Sequence, residues 1–444
     1  MRTDRGQGNL NIVPDFEGLL DNRALDRRGL DARDQVLYPE AQDVARRKVF
    51  YVSGFDPLGA RRYRELYRTE GPLQGDVVGY ELDVKGQPRV KGGNYAWTVR
   101  HRHGAIKTES DFEFLGWDDI VRHSIRPSLG YVYSLMFRTL WCYVSSGAIR
   151  SMWRLRSGPL IAGLVPAALM IFYLVYAGLI GTAAGLLLAG PFGLPAWLAV
   201  MLGFGAGFAS MHATRAFEEQ MMIYFMVNDL GYSARERGRY PGPLSDRLDE
   251  FADRINDAIK SREYDEVLIV GHSSGAQLGV SALARAVRKY GLDGNSQVGL
   301  MTLGQSIAMT SFLPNAEDLR ADLAQLADDP RIFWLDVTAP GDGACFALTD
   351  PSANCREGGR PEEALNPLVI SAAFKQTMCP SELRRYRWRL LRMHFQYLCS
   401  FANPQGYDYF SITAGPRSLA ARFAGRECSP SMKAEPVAPV CHSG

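Results

Sequence analysis

A serine stands between two glycines in Gly271-His272-Ser273-Ser274-Gly275, directly after the apolar run 267–270. A strand that turns abruptly into a helix tolerates little side-chain bulk at the turn. Gly271 and Gly275 meet that need and form the elbow, with His272 packed inside it. Ser273 is then held out above the carboxyl edge of a sheet with its hydroxyl exposed. A helix opening near Ser274 offers free backbone N–H groups at its positive end, the arrangement that steadies a developing oxyanion. A serine so placed suits nucleophilic attack on a carbonyl.

The surrounding pattern supplies the frame. Apolar runs at 266–270, 298–303 and 332–337 read as strands, and 276–290 and 316–326 read as helices between them. Strand-helix-strand alternation implies parallel βαβ units, hence the α/β class with helices on both sheet faces. Upstream, 49–52 reads as a buried strand ended by Ser53-Gly54, and a helix after it stops at Gly71. Three further strands are expected in "VVGYELDV", "NYAWTVRHR" and "KTESDFEFL", and helices in "WDDIVRHSI", 131–145 and "EEQMMIYFMVNDLG". A helix N-capped by Ser245 precedes the serine strand.

At this point the chain resembles the α/β-hydrolase superfamily, its lipase-like and serine-esterase side in particular, over about 48–416. The resemblance implies an order of Ser, then Asp or Glu, then His. Only His394 and His442 follow Ser273; His442 sits in the tail "EPVAPVCHSG", so His394 is the expected general base. The acid is expected at Asp342, on the loop "PGDGACF" beyond a strand, with Asp336 near that strand's end as the alternative and Asp350 behind both. The oxyanion hole is expected from the N–H groups of Ser274 and Phe55, with Gly54 allowing close backbone approach. The family's HGGG form is absent. "YDYFSITAGP" is left either packing beside His394 or lining an acyl channel.

Between 157 and 214 there is no Asp, Glu, Lys or Arg. One helix of that length would far exceed a bilayer core of about 30 Å. Two passes joined by "PFGLP" fit, the second short and glycine-rich, with Gly181, Gly185, Gly203 and Gly207 spaced for close helix contact. Arg150, Arg154 and Arg156 before the hairpin and Arg215 after it place both ends in the cytoplasm. The expected organisation is a mobile arm at 1–47, hydrolase-domain parts at 48–156 and 215–425 around a hairpin at 157–214, and a flexible tail at 426–444.

The chain has 444 residues and a formal charge of +2, which argues against a nucleic-acid partner. Its 7 cysteines are scattered, with no C-x-x-C, as in a reducing compartment. Arginine outnumbers lysine, as in GC-rich bacterial genomes, so a bacterial inner membrane is the expected location. The whole reads as a membrane-anchored serine hydrolase of an apolar or lipid ester, with the lipid bilayer as partner and no cofactor or metal. An acyltransferase using the same residues, or a silent hydrolase-fold scaffold, remains as alternative. Two passes without an ionisable group offer a transporter no polar path.

Overall fold

The computed structural model describes residues 42–434, apart from 88–93, 126–127, 221–222, 293–296, 356–359, 362–363, 365 and the side chains of 211–220. Most of the expected N-terminal arm, and the part of the expected tail that holds His442, lie outside the described residues.

Eight strands form one mostly parallel sheet: β1 (Arg46–Val52), β2 (Glu81–Gly86), β3 (Tyr95–His103), β4 (Ile106–Phe114), β5 (Glu266–His272), β6 (Gln297–Leu303), β7 (Ile332–Thr338) and β8 (Leu368–Ser371), in the order β2-β3-β4-β1-β5-β6-β7-β8. From β4 to β8 every neighbouring pair is parallel, whereas β2, β3 and β4 pair antiparallel at one edge. Strand β5 lies inside the sheet and is buried along its whole length, as its continuous apolar run requires of a strand covered on both faces.

Side chains alternate between two cores. Tyr51, Leu268 and Val270 point to one, and Phe50, Val267 and Ile269 to the other. Helix α1 (Ala60–Val78) lies over the first. It runs past the expected stop at Gly71 and through Pro72, and ends at Gly79 in the left-handed region, φ 97°. The local stop signal is overridden by docking: a Cβ at Gly71 would lie 2.9 Å from Leu82 Cδ1 and 3.3 Å from Phe410, so glycine serves close packing there.

Among the described residues seven helices separate the sheet's first strands from β5: α2 (Asp118–Ser124), α3 (Leu129–Ser145), α4 (Ala148–Leu155), α5 (Ser157–Ala189), α6 (Ala196–Gln220), α7 (Ile223–Arg235) and α8 (Gly242–Ser261). Helix α8 starts three residues before Ser245, which is no cap; its hydroxyl and carbonyl accept from Arg285. The second core is covered by α8, by α9 (Gly275–Tyr290) and, beyond the short α10 (Ala308–Ser311), by α11 (Glu317–Asp328).

Helices α5 and α6 pack closely through glycines. A Cβ at Gly181 would lie 2.8 Å from Gly203 O, and one at Gly207 2.7 Å from Ala177 O. Helix α5 is long and apolar enough to cross a membrane; the apolar part of α6 covers only Ala196–Ser210. Helices α3, α4, α5 and α7 share apolar contacts, and the Tyr133 hydroxyl donates to Met170 O at 3.0 Å.

The expected tail begins as bonded chain. Ser429 N–H donates to Val369 O, and Lys433 N–H to Leu348 O. The six described cysteines are free thiols.

Candidate active site

Strand β5 hands over to α9 within two residues, Ser273 and Ser274. Ser273 has φ 60°, a left-handed conformation costly for a residue with a side chain. The glycines around it have steric reasons. A Cβ at Gly271 would lie 2.6 Å from Gly275 O and from Ala276 Cα, and one at Gly275 would lie 2.4 Å from Val52 O. Gly54, on the loop after β1, is equally constrained: a Cβ there would lie 2.9 Å from Ser273 Cβ. Adjacent pairing of β1 with β5 brings this loop to the serine.

His394 ends the short helix α12 (Leu390–His394), and Asp342 lies on the loop after β7. His394 Nδ1–H donates to Asp342 Oδ2 at 2.8 Å, which leaves Nε2 with its lone pair. The same oxygen accepts the Tyr397 hydroxyl at 3.1 Å, and Oδ1 accepts Ala344 N–H at 2.9 Å. Burial alone would raise the Asp342 pKa, but the His394 charge and hydrogen bond, with the Ala344 N–H and the Cys345 thiol, hold it below the ordinary value.

Asp336, the alternative, is not the carboxyl bonded to His394. It is buried within the sheet, its Oδ1 accepts the Thr302 hydroxyl at 2.6 Å, and burial pushes its pKa up to about 8. Asp350 pairs with Arg360 at 2.9 Å. His272 donates from Nε2 to the backbone carbonyl of His394 at 3.0 Å. Burial, helped by the His394 charge, pushes its pKa down to about 3, so it stays neutral and fixes the base's backbone.

A cavity of about 110 Å³ joins these groups. Ser273, His394, Gly54 and Phe55 line it together. The Ser273 hydroxyl makes no hydrogen bond to a described residue; a bond between nucleophile and base often tightens only when substrate binds. Comparisons with protein-family models, curated proteins and solved structures found no match. The candidate site thus rests on its own geometry.

Of the two expected oxyanion donors, one is engaged in this structure. The Phe55 N–H is not free: it donates to Ser274 Oγ at 2.9 Å. The Ser274 N–H, at the start of α9, has no acceptor among the described residues. Segment 407–416 lines neither the base nor the cavity. The Tyr407 hydroxyl holds Tyr397 O at 2.8 Å, and Asp408 caps the helix Tyr409–Ala414.

Two cavity residues escaped the sequence reading. Arg62 pairs with Asp56 at 2.8 Å and stacks over Phe395 at 4.3 Å. Asp229, on α7, faces the cavity with Met226 and Ser233. It makes no hydrogen bond to a described residue. Burial pushes its pKa up to about 7, against the pull of His394. Helical spacing puts 226, 229 and 233 on one side of α7, but nothing in the sequence says that this side meets Ser273. Among the described residues, no three His, Cys, Asp or Glu side chains are grouped to hold a metal ion.

Proposed function

We propose that this chain is a membrane-anchored serine hydrolase with an α/β-hydrolase fold, acting on an apolar or lipid ester. The observation that carries the reading is the Ser273 elbow at φ 60° sharing one cavity with a hydrogen-bonded His394–Asp342 pair. Ser273 Oγ attacks the ester carbonyl and passes its proton to His394 Nε2. Asp342 holds the imidazole through Nδ1–H and stabilises its charged form. The Ser274 N–H steadies the oxyanion. His394 then protonates the leaving alcohol, and water, activated by the same base, releases the acid.

The α5–α6 pair is read as the membrane hairpin. Its apolar side chains are left uncovered, among them Leu179 at 65% exposure, Leu186 at 69% and Phe204 at 78%. Trp141 and Trp153 stand exposed on the helices before it, as at a membrane interface. Arg150, Arg154 and Arg156 keep the catalytic domain cytoplasmic.

Two assays test this reading. Membranes expressing the chain should retain it through alkaline carbonate washing, and a chain lacking 157–214 should lose that retention. The purified protein should hydrolyse p-nitrophenyl esters, and Ser273→Ala should abolish turnover. A well-folded wild type without turnover, or retention of the shortened chain, counts against it.

A further inference from the structure

A second cavity, of about 40 Å³, adjoins the nucleophile cavity, and the two share Gly163, Leu230 and Met309 as lining residues. It lies among α3, α4, α5 and α7, and its far side is lined by Met136, Leu140 and Met152. Its walls are almost wholly apolar. Of the two lining side chains with polar atoms, Tyr143 has its hydroxyl bonded to Met309 O at 3.0 Å, and Thr139 carries a buried hydroxyl with no partner among the described residues. A chamber of this kind repels head groups and water-seeking ligands but accepts hydrocarbon.

We infer that this chamber holds the acyl chain of the substrate, so that the enzyme selects esters of linear fatty acids longer than butyrate. The inference rests on the serine-hydrolase reading above and deepens it. With the carbonyl at Ser273, the chain runs past Gly163, Leu230 and Met309 into the chamber, and the alcohol portion stays on the side of Asp56 and Arg62. Each methylene that enters adds up to about fourfold to binding, so preference climbs with chain length until the chamber is filled. Gly163 sets the width of the passage. A Cβ there would lie 3.2 Å from Leu230 Cδ1 and 3.8 Å from Met309 Cε, so a side chain as large as leucine occupies the passage. The position is helical, and leucine is a better helix former than glycine, so the helix itself tolerates the change.

The test uses the full chain in lipid nanodiscs and p-nitrophenyl acetate, butyrate, octanoate and decanoate. In the wild type, kcat/KM should rise at least tenfold from acetate to decanoate, and Gly163→Leu should cut that ratio at least tenfold. A measurement on the wild type alone runs beside it: a decyl fluorophosphonate should inactivate the protein at least tenfold faster than an ethyl one. Hydrolysis of acetate with no rise along either series overturns the inference and leaves the serine-hydrolase reading standing. A rise that Gly163→Leu leaves intact overturns the route through the chamber. No hydrolysis and no inactivation by either probe overturns both.

Discussion

His394 Nδ1 and Asp342 Oδ2 lie 2.8 Å apart, although 52 residues separate them in the chain. Three devices hold this contact. The Tyr397 hydroxyl donates to the same carboxylate oxygen, the Ala344 N–H to the other, and His272 grips the backbone carbonyl of His394. A fixed carboxylate keeps the imidazole in the tautomer that leaves Nε2 free to take a proton.

The two candidate acids should therefore separate cleanly. Asp342→Asn should lower kcat for an activated ester by about 10³–10⁴-fold, because an amide can hold the wrong tautomer. Asp336→Asn should stay near the wild-type rate. Steady-state kinetics on both variants checks this, and equal losses would contradict the assignment.

Asp336 should instead set a pH dependence of stability. Its folded-state pKa, about 8, lies above the ordinary carboxyl value. Between those two values the folded chain binds the extra proton and the unfolded chain does not. Stability contributed by the protonated carboxyl is full below about pH 4 and is lost as pH rises toward 8. Asp336→Asn should reduce that loss, so its unfolding midpoint relative to wild type should climb from pH 5 to pH 8.5. A constant difference would contradict a buried neutral Asp336.

Asp229 should make selectivity pH-dependent. Its carboxyl ionises near pH 7 inside the nucleophile cavity. A choline ester should gain on its uncharged dimethylbutyl analogue as pH rises through 7, because the carboxylate attracts the cation. In Asp229→Asn the ratio of kcat/KM should be flat with pH. A wild-type ratio equally flat would contradict the placement of this group.

Gly203 should be intolerant of bulk. A Cβ there would lie 2.6 Å from Gly181 O and 3.3 Å from Gly185 Cα, so Gly203→Val must push α5 and α6 apart. We expect a loss of about 1–3 kcal/mol, read as a lower midpoint of thermal inactivation in detergent. An unchanged midpoint would show that the pair does not depend on this approach.

Much of the frame was legible in the sequence because it is set by local, periodic signals. The run 267–270 needs burial on both faces, and the Gly271/Gly275 pair needs a tight turn; β5 and α9 follow within a residue or two. The parallel β5, β6 and β7 came from the same alternation. What was not legible depends on contacts between distant segments. Gly71 read as a stop, yet α1 continues through it and Pro72 because Leu82 and Phe410 pack against it. Asp336 and Asp342 differ in which way the strand end and the loop point, which pattern alone leaves open. The Phe55 N–H looked free because the Ser274 hydroxyl that takes it is 219 residues away. Asp229 reaches the cavity only because α7 folds back over the elbow.

The most direct measurement of the central claim is labelling of the detergent-solubilised chain by a fluorophosphonate. Wild type should be labelled covalently, Ser273→Ala not at all, and His394→Ala at least a hundredfold more slowly. Labelling that survives Ser273→Ala, or a folded wild type that is never labelled, would contradict an activated serine at the β5–α9 elbow.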